Sequence, residues 1–217
     1  MDRDAFLTRV GRAAQTSDLP AAPAVPEQLP GEAPDDLIGL FRQRALDVNA
    51  VVHGPMGKHG APRAIAGIAA GHDSRTFVSW DELPSPGVAS ALTGAGLERI
   101  DDRMSNENRL EHQVGYMALD LGVTGSVAGL AESGSVILAH GPGRPRMASL
   151  VPEVHVVLVD VADVAWTLSH WAGRNPDAAT DTANLVIVTG PSRTGDIEQQ
   201  LNLGVHGPRH VHIVMIK

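Results

Sequence analysis

The sequence predicts an α/β domain built on a largely parallel sheet covered on both faces, and three observations carry that expectation. From Asp35 onward, segments with helical and strand periods alternate along the chain. The 217 residues are 43% hydrophobic and 19% charged, which is enough to bury a sizeable core as one domain with an N-terminal extension. Near the C-terminus a β-branched strand, Asn184 to Thr189, runs into Gly190, Pro191, Ser192, Arg193 and Thr194 and then into a segment of helical period. Strand, tight loop and helix N-terminus in succession mark a ligand-binding edge, because the first backbone N–H groups of a helix are unpaired and can face an anion.

The elements follow in order. Asp4 to Ala14 sets Phe6, Leu7 and Val10 at helical spacing, predicting a short amphipathic helix. Leu19 to Pro34 carries Pro20, Pro23, Pro26, Pro30 and Pro34, which rules out a regular helix or central strand and predicts an extended linker. Residues 1–34 are therefore read as helix plus linker, and 35–217 as the α/β domain; the first helix is free to dock elsewhere, including on a second copy of the chain. Leu37, Leu40, Phe41 and Leu46 predict a helix, Ala50 to Val52 a strand, Pro62 to Ala70 a helix, Thr76 to Trp80 a buried strand, and Gly87 to Ala95 a helix closing before Gly96. Asn106 to Leu121 is the clearest helical stripe, with Ser105 as N-cap and Gly122 as C-cap. Two small-residue strands around Glu132, Ser133 and Gly134 suggest an antiparallel excursion over Thr124 to Leu138. A strand over Val154 to Asp160, a helix over Val161 to Trp171, the strand, loop and helix of Leu185 to Leu201, and a final strand over Val211 to Ile216 complete the pattern.

Composition excludes several classes of function. A formal charge of −8 with scattered Lys and Arg lacks the footprint of a nucleic-acid binder, and 3% aromatic residues supply no stacking platform for single strands. Apolar stretches such as Val154 to Val159 fall well short of the roughly 20 residues of a membrane-spanning helix. No export leader opens the chain, so a cytoplasmic setting is expected. There is no cysteine, which excludes disulfides, a cysteine nucleophile and any cysteine-ligated zinc or iron–sulfur cluster on this polypeptide.

Four groups of residues can carry chemistry. Gly122 to Gly134 is built almost entirely of small residues, so backbone at Thr124, Gly125, Ser133 and Gly134 can approach a ligand closely. Glu132 is the one ionisable group there, either a turn glutamate pointing into water or a nucleophile, base or ligand anchor. At the C-terminal edge, Gly190 shapes the turn while Ser192, Arg193 and Thr194 can hold a phosphate or carboxylate; Asp196 and Glu198, in the first turn of the expected helix, oppose an anion placed directly on it. The loop lacks the G-x-x-x-x-G-K-[ST] pattern of a phosphate-gripping ATPase. His210 and His212 share a side if they lie on one strand, but with no H-E-x-x-H pair they are read as structural or partner-facing, and no metal site is assigned. His155 lies on a buried-looking strand as a core histidine. His53 to Gly60, carrying Lys58, reads as a surface loop, and Arg144 and Arg146 either clamp an acid or face solvent.

GPSRTGDIE followed by LGVHGP resembles the C-terminal signature of the lactate utilization protein C (LUD domain) family. GVTGSVAGLAESGSVIL and MASLVPEVHVVLV match that family's two other blocks in the same order, and the similarity runs from about Asp35 to the C-terminus. The resemblance implies a Rossmann-like three-layer sandwich of the sugar-phosphate isomerase and CoA-transferase group, with its cleft at strand C-terminal ends. It implies a component that works with iron–sulfur partner proteins in oxidising L-lactate to pyruvate and that binds a small organic acid or other anion, those partners, or both. It favours functional roles for Glu132 and for His206, which sits in the matching Gly204 to Pro208 block and can act as acid, base or hydrogen-bond donor. Many relatives carry an acid where this chain has Val127, so a two-carboxylate mechanism lacks its second acid here. Two other readings stand beside this one: a free-standing CoA-transferase or isomerase using Glu132, and a non-catalytic small-anion-binding module.

Overall fold

The computed structural model describes residues 2–16, 32–100, 118–195, 201–204 and 206–217. Met1–Pro30 and Gly31–Lys217 are separate compact units. In the first, α1 (Arg3–Thr16) is the expected amphipathic helix, and Phe6, Leu7 and Val10 are exposed on it.

The second unit is organised by a six-stranded, all-parallel sheet. Its strands are β1 (Val51–Met56), β2 (Thr76–Ser79), β3 (Glu98–Arg99), β4 (Leu121–Gly125), β7 (Val154–Asp160) and β12 (His210–Ile216), in the order β1-β12-β7-β4-β2-β3. Alternate residues divide between two cores, as the period of a strand demands. Phe77, Leu121, Val123, Val156, Leu158, Val214 and Ile216 pack on α3 (Ala61–Gly71) and α4 (Val88–Gly94), where Ile65, Ile68, Val88 and Leu92 meet them. Val78, Trp80, Val157, Val159, Ile213 and Met215 face the other way, onto Phe41 and Ala45 of α2 (Leu37–Asp47) and Ala148 of α5 (Met147–Leu150).

The same core takes Val136 and Leu138 from a second, four-stranded sheet, ordered β8-β5-β6-β9. It contains β5 (Ala128–Leu130), β6 (Ser135–His140), β8 (Val164–Ala165) and β9 (Asn184–Val188). Its far side packs Ile137, Leu130 and Ala165 against Trp171 of α6 (Leu168–Arg174). The β5–β6 hairpin is the antiparallel excursion expected from the small residues. Gly122 shows what small size achieves: a Cβ there would collide with the Ala148 carbonyl, so its absence lets α5 lie directly on β4.

Four local expectations are corrected. The helix expected over Asn106 to Leu121 does not extend to its expected end: Asp120 accepts from the N–H groups of Arg75 (2.7 Å) and Thr76 (3.1 Å), Leu121 opens β4, and Gly122 is mid-strand rather than a cap; Ser105 and residues 106–117 lie outside the described residues. Val161 to Trp171 is three elements instead of one helix. The Asp160 carboxylate accepts from Ala162 N–H and closes a single 3-10 turn, β8 pairs with β5, and Thr167 caps α6. Arg193 does not begin a helix either: β10 (Arg193–Gly195) pairs antiparallel with β11 (Leu201–Leu203), and that ladder occupies backbone groups a helix N-terminus would leave free. Finally, His53 to Gly60 is not a loop, because His53–Met56 belongs to β1 and Lys58–Gly60 forms a 3-10 turn.

Candidate functional site

The turn between β5 and β6 places Glu132, Ser133 and Gly134 against two neighbours. Gly134 has φ +67°, and a Cβ on it would strike the backbone of Arg44 and Ala45, so the hairpin tip rests on the last turn of α2. Ser133 Oγ lies 2.8 Å from Ser135 Oγ, which lies 2.7 Å from Thr189 Oγ1, tying the tip to the chain leaving β9. There Gly190 backs onto the Val48 carbonyl, and Arg193 Nη2 donates to that same oxygen at 2.9 Å. Ser133, Gly134, Gly190 and Arg193 thus converge on the C-terminal end of α2. The exposed Glu132 turns elsewhere: its Oε1 accepts from Leu168 N–H at 3.1 Å, at the start of α6.

Ser192 joins a different group. Its N–H donates to the Pro208 carbonyl (2.9 Å), its carbonyl accepts from Gly204 N–H (3.0 Å), and its side chain is the nearest neighbour of Gly207. This fixes the loop carrying the exposed His206 beside a hollow of about 380 Å³ lined by Asp120, Val151, Glu153, Gly204, Gly207 and Arg209. Asp120, Glu153 and Arg209 immediately precede β4, β7 and β12, so the hollow lies at the amino ends of those strands. Thr194 lies on β10. Thr124 and Gly125 are buried in the central sheet, where Thr124 Oγ1 meets His155 Nε2 at 2.9 Å and Gly125 adjoins Pro84 and Trp80. His155 is the fully buried core histidine the sequence indicated, and burial lowers its pKa to about 3.

The carboxyl ends of the parallel strands gather residues the sequence did not single out together. The chain runs outward from β2 to β3 and then from β4 toward β7, so β2 and β4 are neighbours whose connections diverge, which is where ligands of open α/β sheets bind. Around this edge Lys58 Nζ pairs with Asp160 Oδ2 at 3.2 Å and Arg99 Nη2 with Asp81 Oδ1 at 3.0 Å. Burial and the Asp160 charge raise the pKa of the Asp163 carboxyl, and Lys58 opposes them. A cavity of about 300 Å³ is lined by Trp80, Asp81, Ser85, Gly87 and Ser90, among others. Arg144 lies over Trp80, 6.0 Å from the ring, while Arg146 is exposed.

His210 and His212 do share one side of β12. His212 Nδ1 is 2.9 Å from His53 Nε2, its Nε2 is 2.9 Å from His72 Nε2, and the His72 and His210 rings lie 4.6 Å apart. Burial first, then the neighbouring His53, His72 and His210, lower the His212 pKa to about 4. Among the described residues, no group of three or more His, Asp or Glu is arranged to hold a metal ion.

A parallel sheet between helices on one face and helices with a second small sheet on the other defines an α/β sandwich with its crevice at the strand carboxyl ends. The LUD domain family model matches residues 40–216, and the chain belongs to that family. It is of the lactate utilization protein C type: the protein of that name from Shouchella clausii is 27% identical, over 95% of this chain and 94% of the other. An uncharacterized protein of Neisseria meningitidis is 35% identical, but the match spans 46% of this chain and 44% of that protein. The crystal structure of a DUF162 family protein from Deinococcus radiodurans shares the fold, with TM-score 0.63 and 21% identity over 84% of this chain and 97% of that one.

Proposed function

We propose that this chain is a cytoplasmic component of a system that oxidises L-lactate to pyruvate together with iron–sulfur partner proteins. The observation that carries this reading is the nearly end-to-end correspondence with a lactate utilization protein C. The absence of cysteine supports the division of labour, since cysteine-ligated redox centres must then sit on partners while this chain binds the acid, the partners, or both. A host strain lacking the gene is expected to lose growth on L-lactate and regain it on complementation, and the tagged chain is expected to retain cysteine-rich iron–sulfur proteins. Wild-type growth of the deletion strain on L-lactate overturns the reading.

The exposed Glu132 favours a second reading, a free-standing CoA-transferase or isomerase-type enzyme with that carboxylate as nucleophile or base; in CoA transfer the CoA thiol passes to the Glu132 carbonyl as the acyl group departs as a free acid. Incubation with acyl-CoA followed by mass spectrometry decides it: a thioester on Glu132 establishes it, and an unmodified Glu132 dismisses it.

A further inference from the structure

Beneath the Gly141–Arg144 turn, two neighbouring buried imidazoles leave most of their hydrogen-bonding capacity unused. His140, the last residue of β6, is 1% exposed and His155 of β7 is 0% exposed. Among the described residues, neither ring nitrogen of His140 nor the Nδ1 of His155 has a hydrogen-bond partner, although His155 Nε2 meets Thr124. The Arg144 carbonyl lies close enough to favour the charged form of His140 but lacks hydrogen-bond geometry; burial outweighs it and lowers the His140 pKa, and His155 is held at about 3. Both rings are therefore neutral at neutral pH, each with one donor and one acceptor nitrogen. The Trp80 and His140 rings are nearly perpendicular with centroids 5.6 Å apart, and the Arg144 guanidinium lies 6.0 Å from the Trp80 ring centroid. Such orphaned atoms are rare in folded proteins and call for a polar occupant.

We propose that His140, His155, Trp80 and Arg144 form a binding site for a small 2-hydroxy or 2-oxo carboxylate at the junction of β2, β6 and β7. The half-buried Arg144 takes the carboxylate, for which a guanidinium fork is suited. The 2-oxygen of the ligand meets the unpartnered imidazole nitrogens, as a hydroxyl that donates and accepts or as a carbonyl that accepts. Arg144 and Arg146 both disfavour positive charge at His140, so a cationic ligand is disfavoured as well. This assignment rests on the lactate reading and deepens it by placing the acid.

Calorimetry on the full chain tests the site with L-lactate, pyruvate and acetate, the last lacking the 2-oxygen. L-Lactate or pyruvate is expected to bind, and to bind at least about tenfold more weakly to His140→Phe and to Arg144→Gln, with acetate similarly weak on the wild type. His140→Phe keeps a planar aromatic ring, slightly larger than the imidazole, and removes the orphaned atoms; should it fail to fold, Arg144→Gln, at a half-buried rim position, carries the comparison alone. Unchanged affinity in the folded variants, no binding by the wild type, or crystals grown with pyruvate that show only ordered water beside His140 overturns the site. Growth of the deletion strain separates the two claims: a lactate defect without acid binding at His140 removes the site and leaves the lactate reading standing.

Discussion

Gly134 and Thr124 show how single residues fix their neighbours in place. Gly134 combines a left-handed φ with direct contact to the α2 backbone, so Gly134→Ala is expected to destabilise the fold by about 2 kcal/mol or more, read as a lowered urea midpoint. Thr124→Val leaves His155 with no partner on either nitrogen and is expected to cost about 1–3 kcal/mol by the same measurement. Glu132 behaves differently because its contact is at the surface. Glu132→Gln retains an acceptor for Leu168 N–H and is expected to unfold like the parent, whereas Glu132→Ala loses it and costs about 1 kcal/mol. If Glu132→Gln proves as damaging as Glu132→Ala, the carboxylate charge matters beyond its role at the start of α6.

At the scale of elements, the histidines of β12 and β7 link the sheet to pH. Folding lowers the pKa of His212 to about 4 and of His155 to about 3, from an ordinary value of 6.5. Below that value the unfolded chain binds protons that the folded chain does not, so stability is full above about pH 6.5 and falls as the medium becomes more acidic, by up to about 1.4 kcal/mol per pH unit for each imidazole. Urea unfolding at pH 7 and pH 5 checks this, and a flat profile contradicts it. The central strands were legible because their apolar runs are long and bounded: Val154 to Asp160 and Val211 to Ile216 appear almost as expected. Helical stripes misled where pairing partners were invisible in the sequence. Leu121 ends the helical stripe read over Asn106 to Leu121, yet it pairs with Phe77, a residue far away along the chain. Val164 likewise fits a helical period and is claimed by Gly129 of β5. The site was legible in part: Arg144 and His155 attracted notice, but His140 ends an apolar run, and nothing local says that its nitrogens go unmatched.

Across the whole molecule, one core cluster joins the two sheets, since Val136 and Leu138 of β6 pack with Val157, Val159 and Ile213 of the parallel sheet. Gly31–Lys217 is therefore expected to unfold in one cooperative step, with far- and near-ultraviolet circular dichroism curves superimposing; separated transitions would show that the sheets melt independently. The C-terminal end of α2 adds a longer-range consequence. Arg193 is already moored to a helix tail, whose carbonyls carry partial negative charge. The Val48 carbonyl thus gains a donor from a residue 145 positions further along the chain, and the end of α2 and the strand β10 are fastened to each other through one guanidinium.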